Sequence, residues 1–170
     1  MKAGSALLEA EGLVRRYAMR RGLLGRTVEV RAVDGVSLKL ERGRTLGLVG
    51  ESGCGKSTTG RLVLGMETPD AGSVSFDGAV MPQPGSVAWR AMRARMQMVF
   101  QDPLGALDRR LPIATQVGEP LDIHGIGARA ERAARVETLL RAVGLRPDQG
   151  ARYPHELSGG QRQRAVLARA

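Results

Sequence analysis

A short run of glycines, one lysine and several hydroxyl side chains near residue 50 is the part of the sequence best suited to chemistry. It reads GESGCGKST and matches the pattern G-x-x-x-x-G-K-[S/T]. Glycines let backbone N–H groups converge on phosphate oxygens, and the helix that follows adds its positive N-terminal end. The predicted nucleotide-binding residues are Gly50, Glu51, Ser52, Gly53, Cys54, Gly55, Lys56, Ser57 and Thr58.

Two of these residues have distinct predicted roles. Lys56 supplies a compact positive charge to the β- and γ-phosphates and is a candidate catalytic residue, and Ser57 supplies a hydroxyl ligand to Mg²⁺.

Cys54 is the only cysteine, which excludes an internal disulfide framework. We interpret it as a small filler of the loop rather than a redox centre, and we expect its alkylation to block nucleotide binding by bulk.

A second anion-binding helix start is predicted at LSGGQRQR, residues 157–164. Ser158 can cap the helix and Gln161, three residues later, completes a capping box. Gly159 and Gly160 leave the helix mouth free of side chains. The chain thus has two phosphate-binding helix mouths about a hundred residues apart, whereas a nucleotide has one γ-phosphate.

The elements before and just after the phosphate loop are predicted to be mainly strands. Residues 6–17 predict an edge strand that ends near Tyr17, and residues 18–27 predict a loop. Residues 28–40 alternate around Asp34-Gly35, which indicates a β-hairpin. Residues 69–81 predict another hairpin.

The core and the second half of the chain show a different pattern. The apolar runs TLGLVG (45–50) and MQMVF (96–100) predict strands buried on both faces. A helix is predicted over residues 56–66, and we expect Trp89 in the core. Three further helices are predicted over residues 114–125, 128–144 and 158–170, with Gly144 and Pro147 closing the middle one.

The composition limits the possible classes of protein without selecting one. The net charge is +9, and three lysines stand against 23 arginines. Such an excess suits nucleic acid, an anionic membrane surface or phosphorylated ligands, but it also suits an ordinary arginine-rich surface. Neither a secretory signal nor an apolar run long enough to span a bilayer is visible. Any function at a membrane is therefore expected to be that of a peripheral protein.

Together the motifs resemble those of the ATP-binding subunits of ABC transporters, whose signature is LSGGQ (157–161 here). VFQDP, residues 99–103, resembles the Q-loop of that family, with Gln101 as the matching glutamine. The resemblance implies an α/β P-loop NTPase fold with an incomplete RecA-like core, an antiparallel β subdomain and an α-helical subdomain. The implied division is a β subdomain over 1–45, a phosphate-loop core over 46–102, and a helical subdomain with the signature helix over 103–170.

The resemblance also implies how ATP and Mg²⁺ are held. Two subunits would sandwich two ATP molecules head to tail, so that Ser158, Gly159, Gly160 and Gln161 contact the nucleotide of the partner. Tyr17 lies where the family places an aromatic residue that stacks on adenine. Gln101 is implied as a catalytic residue and, with Ser57, as a ligand or contact of Mg²⁺.

Longer strings, such as RYPHELSGGQRQR, resemble the oligopeptide and dipeptide importer ATPases, and nickel importers share much of the same sequence. The implied function is ATP binding and hydrolysis that energise import. Di- or oligopeptides are the solutes that the resemblance favours. The implied partners are a second ATPase subunit and integral membrane permease subunits, at the cytoplasmic face of the inner membrane, with no nucleic acid.

Several family features are expected to lie outside these residues. The Walker B strand with its catalytic glutamate, the D-loop and the switch histidine would follow residue 170, so the sequence is interpreted as an amino-terminal fragment that binds ATP without turnover. His124 and His155 precede the signature and are interpreted as surface or packing residues. The alternatives are a soluble ABC-type ATPase acting on nucleic acid or ribosomes, a phosphate-loop kinase or GTPase, and a non-functional truncation.

Overall fold

The computed structural model describes residues 6–20, 27–100, 102 and 105–170. The chain divides into two compact units, one up to Met92 and one from Arg93 onward. The first unit contains a β-sheet and the phosphate loop, and the second is helical. The predicted antiparallel β subdomain and α-helical subdomain are therefore both present.

The sheet of the first unit has four strands in the order β2-β1-β3-β4, all paired antiparallel. Its strands are β1 (Ala6–Arg20), β2 (Thr27–Glu41), β3 (Ala71–Phe76) and β4 (Ala79–Val80). Asp77 and Gly78 join β3 to β4, both with positive φ. Positive φ at both central positions is what a type I′ hairpin turn needs, so the predicted hairpin over 69–81 is confirmed.

One helix packs on this sheet because one face of the sheet is apolar. Helix α1 (Lys56–Val63) buries Leu62, which is 1% exposed, against the apolar face. The sheet contributes Ala10, Leu13, Val33 and Val74 to the same cluster. This packing fixes where α1 begins, and therefore where its N-terminal N–H groups point.

The start of the chain differs from the prediction in two ways. β1 pairs with both β2 and β3, so it is a central strand and not an edge strand, and it continues past Tyr17 to Arg20. β2 runs through Asp34-Gly35 without turning. Gly35 has φ 70° beside a register shift, so this dipeptide forms an irregularity in the ladder where we predicted a hairpin. The predicted loop over 18–27 belongs to β1 up to Arg20, and residues 21–26 lie outside the described residues.

The two strands predicted to be buried on both faces are not strands. Residues 45–50 and 96–100 have neither helix nor strand structure, and Val49 is 94% exposed. Leu46, Leu48, Val99 and Phe100 are also exposed. A parallel strand needs a hydrogen-bonding neighbour and cover on both faces. No described residue pairs with either segment. Apolar composition alone was therefore not enough to make either segment a strand.

The helices of the second unit largely follow the prediction. They are α3 (Ile113–Ile123), α4 (Arg132–Ala142), α5 (Pro147–Gly150) and α6 (Gly159–Arg169), with 3-10 turns at Arg129–Glu131 and Pro154–Glu156. Gly144 follows α4 with φ 72°, as expected for a glycine that ends a helix. The helix α2 (Val87–Arg93) has no buried residue. Trp89 is half-buried rather than in the core, and its Nε1–H donates to the Gly65 carbonyl at 2.7 Å.

The core of the second unit is built by α3, α4 and α6, and it includes Ile113, Val117, Leu140 and Ala165. Arg169, near the end of α6, donates to the Ala106 carbonyl at 2.5 Å and to Glu119 of α3 at 2.7 Å. The signature helix is therefore tied at its far end to α3 and to the segment that follows residue 104. His155 is exposed and stacks on Tyr153, and His124 is half-buried, in agreement with their predicted surface or packing roles.

Candidate nucleotide-binding site

The phosphate loop leads into α1, and Lys56 is the first residue of that helix. The Lys56 Nζ donates to the Gly50 carbonyl at 2.8 Å and to the Glu51 carbonyl at 2.5 Å, across the mouth of the loop. Residues 51–54 and Ser57 are exposed. The ammonium therefore lies at the open side of the loop, where an anion can replace weak carbonyl contacts with a full opposite charge.

Two glycines of the loop are required by its geometry. Gly55 has φ 96°, and a Cβ built there would lie 2.0 Å from the Ala32 carbonyl oxygen of β2. A Cβ on Gly50 would lie 2.6 Å from the Cys54 Sγ. The first clash is with backbone and cannot be relieved by a side-chain rotation, so the loop can pass β2 only with glycine at position 55.

The mouth of α1 fits an anion. No side chain caps the helix, and no acidic residue lies in its first turn. The unpaired N–H groups and the positive end of the helix dipole are therefore available to a phosphate. The buried Thr59 donates its hydroxyl back to the Gly55 carbonyl at 3.1 Å, which holds the loop against the helix.

The residues present also fit Mg²⁺ as far as they are described. Mg²⁺ prefers oxygen ligands and is usually held by one or two protein groups together with phosphates and water. Ser57, with its exposed hydroxyl in the first turn of α1, is an oxygen ligand of this kind. The other predicted ligand, Gln101, lies outside the described residues, so its roles stay predictions.

Cys54 is exposed and its Sγ lies 3.6 Å from the Lys56 Nζ. A group attached to this sulfur would occupy the open side of the loop, next to the ammonium. The interpretation of Cys54 as a small filler with no redox role, and the expected effect of its alkylation, stay predictions.

Tyr17 is half-buried near the end of β1, and its surroundings were not foreseen from the sequence. Its hydroxyl donates to Glu67 Oε2 at 2.5 Å, and the Arg15 Cζ lies 5.0 Å from its ring centroid. The pKa of Arg15 is raised above its usual value, chiefly by the Tyr17 side chain and then by the charge of Asp70. Arg15 and Tyr17 are two residues apart on a strand, so strand alternation could have placed them on one face. No local pattern connects Glu67 to either.

The signature residues form the N-terminus of α6, as predicted. Ser158 is the N-cap; its hydroxyl accepts the Gln161 N–H at 3.3 Å, and its own N–H donates to Gln161 Oε1 at 2.9 Å. A Cβ on Gly159 or on Gly160 would meet nothing within 4 Å. The described fold therefore does not require glycine at these two positions, in contrast to Gly55.

Comparison with known proteins decides the family. Residues 33–170 match the family described as ABC transporter. The chain belongs to the ABC transporter family. Solved ATP-binding cassettes share its fold, which confirms the predicted P-loop NTPase class.

Two curated relatives illustrate the similarity in sequence. The glutathione import ATP-binding protein GsiA of Pectobacterium atrosepticum is 48% identical over 165 residues, which are 96% of this chain and 26% of that protein. A putative peptide import ATP-binding protein of Brucella abortus is 46% identical over 165 residues, which are 96% of this chain and 49% of that protein. This ABC transporter family chain thus spans between about a quarter and a half of the length of these relatives.

Two solved structures illustrate the similarity in fold. An ATP-binding cassette solved as a dimer in a post-hydrolysis state, bound to ADP and Pi, has a TM-score of 0.81 and 27% identity, with 95% of this chain and 68% of that one covered. CbiO1 of Clostridium perfringens, part of an ABC transporter complex, has a TM-score of 0.77 and 25% identity, with coverages of 96% and 60%. Across the described part of this ABC family chain, no helix is both long and apolar enough to cross a membrane.

Proposed function

We propose that the protein is the ATP-binding and ATP-hydrolysing subunit that energises an ABC importer of di- or oligopeptides. One observation carries this proposal: two helices, α1 and α6, begin at open glycine-containing mouths without an acidic residue in the first turn. One chain thus offers two phosphate-binding surfaces, and a head-to-tail pair of chains would use both on each nucleotide.

The first surface holds the nucleotide of its own chain. Lys56 and the N–H groups at the start of α1 would bind the β- and γ-phosphates, and the ring of Tyr17 would stack on adenine. Mg²⁺, held by Ser57 and in the family's pattern contacted by Gln101, supplies positive charge that offsets the charge on the phosphate oxygens.

The second surface holds the nucleotide of a partner chain. Supporting this is the free space around the missing side chains of Gly159 and Gly160, since the described fold leaves that space for something outside it. A phosphate tail with its shell of ligands would fill it, and Ser158 would lie at its edge. This arrangement makes the partner an ATPase subunit in a head-to-tail dimer.

The membrane partner would dock on the second unit. A cavity of about 500 Å³ there is lined by apolar side chains, by the basic residues Arg93, His124 and Arg169, and by Glu119, which accepts a hydrogen bond from Arg169. Phe100 and Ile123 on its wall are 47% and 69% exposed. We propose that a cytoplasmic segment of the permease with one apolar face binds here. The protein would then work peripherally, at the cytoplasmic face of the inner membrane.

The solute class rests on the named relatives, one a glutathione importer subunit and one a putative peptide importer subunit. Both solutes are short peptides or peptide-like, so peptide uptake is the first choice and nickel the alternative.

The test is complementation between two inactive variants. Lys56→Ala removes the phosphate charge of the first surface, and Gly159→Trp blocks the second. Each variant alone should fail to dimerise with MgATP in sedimentation velocity. A mixture should form dimers, because a head-to-tail pair of the two variants retains one complete site.

The control is Lys39→Ala, which removes another lysine, one whose Nζ lies 4.0 Å from Glu9 in the sheet. It should dimerise as the parent chain does. Dimers of either single variant, or none in the mixture when the parent chain forms them, would contradict the head-to-tail arrangement.

A further inference from the structure

We propose that Glu67 is a positioning residue for the nucleotide base, because it holds the ring of Tyr17 in the plane that receives adenine. This inference rests on the proposed stacking of Tyr17 on the base. Glu67 follows α1 in the chain and lies 50 residues from Tyr17. It does not itself contact the nucleotide in this proposal; it acts through the tyrosine.

The carboxylate of Glu67 has a contact at each oxygen. Oε2 accepts the hydroxyl of Tyr17 at 2.5 Å and lies 3.5 Å from the Arg15 Nε. Oε1 lies 3.6 Å from Nη1 of Arg61. The side chain is only 23% exposed. A partly buried carboxylate with two cationic neighbours has little freedom to move, so its hydrogen bond fixes the phenol oxygen.

The ring itself is held at a second point. The guanidinium of Arg15 lies over the ring, with its Cζ 5.0 Å from the centroid. Arg15 is in turn fixed by Asp70, whose Oδ1 accepts from Nη1 at 2.9 Å. One face of Tyr17 therefore has a cation over it, and in the proposed stacking the base would lie against the opposite face. A stacking ring fixed before binding loses less conformational entropy when the base arrives.

The same carboxylate connects the base site to the phosphate site. Arg61 belongs to α1, the helix that starts at Lys56, and Tyr17 belongs to β1. Glu67 contacts both, so the distance between the stacking ring and the helix that binds the phosphates depends partly on it. Since adenine and the phosphates are joined covalently in one ligand of limited reach, displacing the ring weakens the binding of ATP without weakening the binding of a ligand that lacks the base.

A purely structural role for Glu67 makes a different prediction. If Glu67 only joined β1 to α1, its loss would weaken every ligand of the phosphate loop equally, through the stability of the loop. The experiment therefore compares the dissociation constants of MgATP and of magnesium tripolyphosphate, which has the phosphates but no base, by calorimetry on the full chain.

Four variants make the comparison specific. Glu67→Ala removes the acceptor, Tyr17→Phe removes the donor but keeps the ring, and Glu67→Gln keeps an acceptor oxygen but loses the charge. Glu9→Ala is the control, since it removes another β1-linked carboxylate, paired with Lys39 at 4.0 Å. Circular dichroism confirms folding, and Tyr17→Phe tests the same bond if Glu67→Ala does not fold.

We expect Glu67→Ala and Tyr17→Phe each to weaken MgATP by about three- to ten-fold, the range of one hydrogen bond, with tripolyphosphate unchanged. The double variant should be no weaker than either single variant. Glu67→Gln should recover most of the affinity, and Glu9→Ala should match the parent. Equal loss for both ligands, no loss in either single variant, or no recovery with glutamine would each overturn the inference.

Failure of the proposed function gives a different result. If Tyr17→Ala binds MgATP as the parent does, the ring does not stack on adenine, and the inference falls with that part of the proposed function. If Tyr17→Ala weakens MgATP but Glu67→Ala and Tyr17→Phe do not, stacking holds and the inference alone is wrong.

Discussion

Arg110 donates three hydrogen bonds to the carboxylate of Asp108, from its backbone N–H at 2.9 Å, Nε at 3.1 Å and Nη2 at 2.9 Å. These bonds hold the pKa of Asp108 down at about 2, from an ordinary value of 3.8, with the Arg110 side-chain bonds as the largest cause. At the scale of single residues, a pair two positions apart therefore shapes the turn just before α3.

A prediction follows for the pH dependence of this turn. Because the folded pKa of Asp108 is lowered, its pairing stabilises the turn above about pH 4 and is lost as the pH falls toward about 2. A carbon-detected NMR titration should show the low pKa in the parent and a higher pKa in Arg110→Ala, still below the ordinary value because the backbone N–H at position 110 remains. Arg109→Ala, which changes the exposed neighbouring arginine, should leave the low value in place. An unchanged Asp108 titration in Arg110→Ala would refute the pairing.

At the scale of elements, α1 and α6 begin alike but use glycine for different reasons. Gly55 lies before α1 because the backbone of β2 leaves no room for a Cβ, whereas Gly159 and Gly160 open α6 onto free space. The first glycine therefore serves the fold of this chain. The other two, in the proposed function, serve the nucleotide of a partner.

This difference can be measured with matched alanine substitutions. Gly55→Ala should unfold the loop and abolish MgATP binding, because the Cβ meets a backbone oxygen at 2.0 Å. Gly159→Ala should raise thermal stability slightly, since alanine is favoured over glycine in a helix by up to about 1 kcal/mol. It should also weaken ATP-dependent dimerisation without changing the affinity of the single chain for MgATP. Thermal melts, calorimetry and sedimentation velocity give the three readouts, and equal dimerisation of Gly159→Ala and the parent would contradict the prediction.

The elements also show what the sequence can and cannot predict. Helices α1, α3, α4 and α6, the β3–β4 hairpin and the Ser158–Gln161 capping box depend on residues a few positions apart, and they were predicted from the sequence, whereas the short helices α2 and α5 were not. Residues 45–50 and 96–100 would need distant partners to be strands, and local composition does not contain that information. The pairing of Tyr17 with Glu67 is likewise non-local. The phosphate loop and signature were found by their motifs, but the surroundings of Tyr17 needed the structure.

At the scale of the whole molecule, apolar side chains without cover should influence solubility. Leu46, Leu48 and Val49 lie together before the phosphate loop, and Val49 is 94% exposed. Contiguous exposed apolar residues promote association between chains. In this protein they lie beside the phosphate loop, so in the proposed function association would also limit access of nucleotide.

We therefore predict that Val49→Ser raises the concentration at which light scattering begins while changing the free energy of unfolding by less than about 0.5 kcal/mol. As the matched control, Leu62→Ala, at a position only 1% exposed, should cost about 2–5 kcal/mol in a denaturant titration. Unchanged scattering by Val49→Ser would show that this segment does not drive association.

The capping box of α6 has a consequence for how Ser158 could be replaced. Its oxygen receives the Gln161 N–H through a lone pair, and the hydroxyl hydrogen is still able to point outward to an approaching phosphate. Aspartate is an equally good helix cap but carries no such hydrogen and repels an anion. The substitution Ser158→Asp would therefore keep helix α6 and the fold of the single chain while removing the attraction for the nucleotide of a neighbouring chain. Folding and assembly would then depend on different properties of the side chain at position 158.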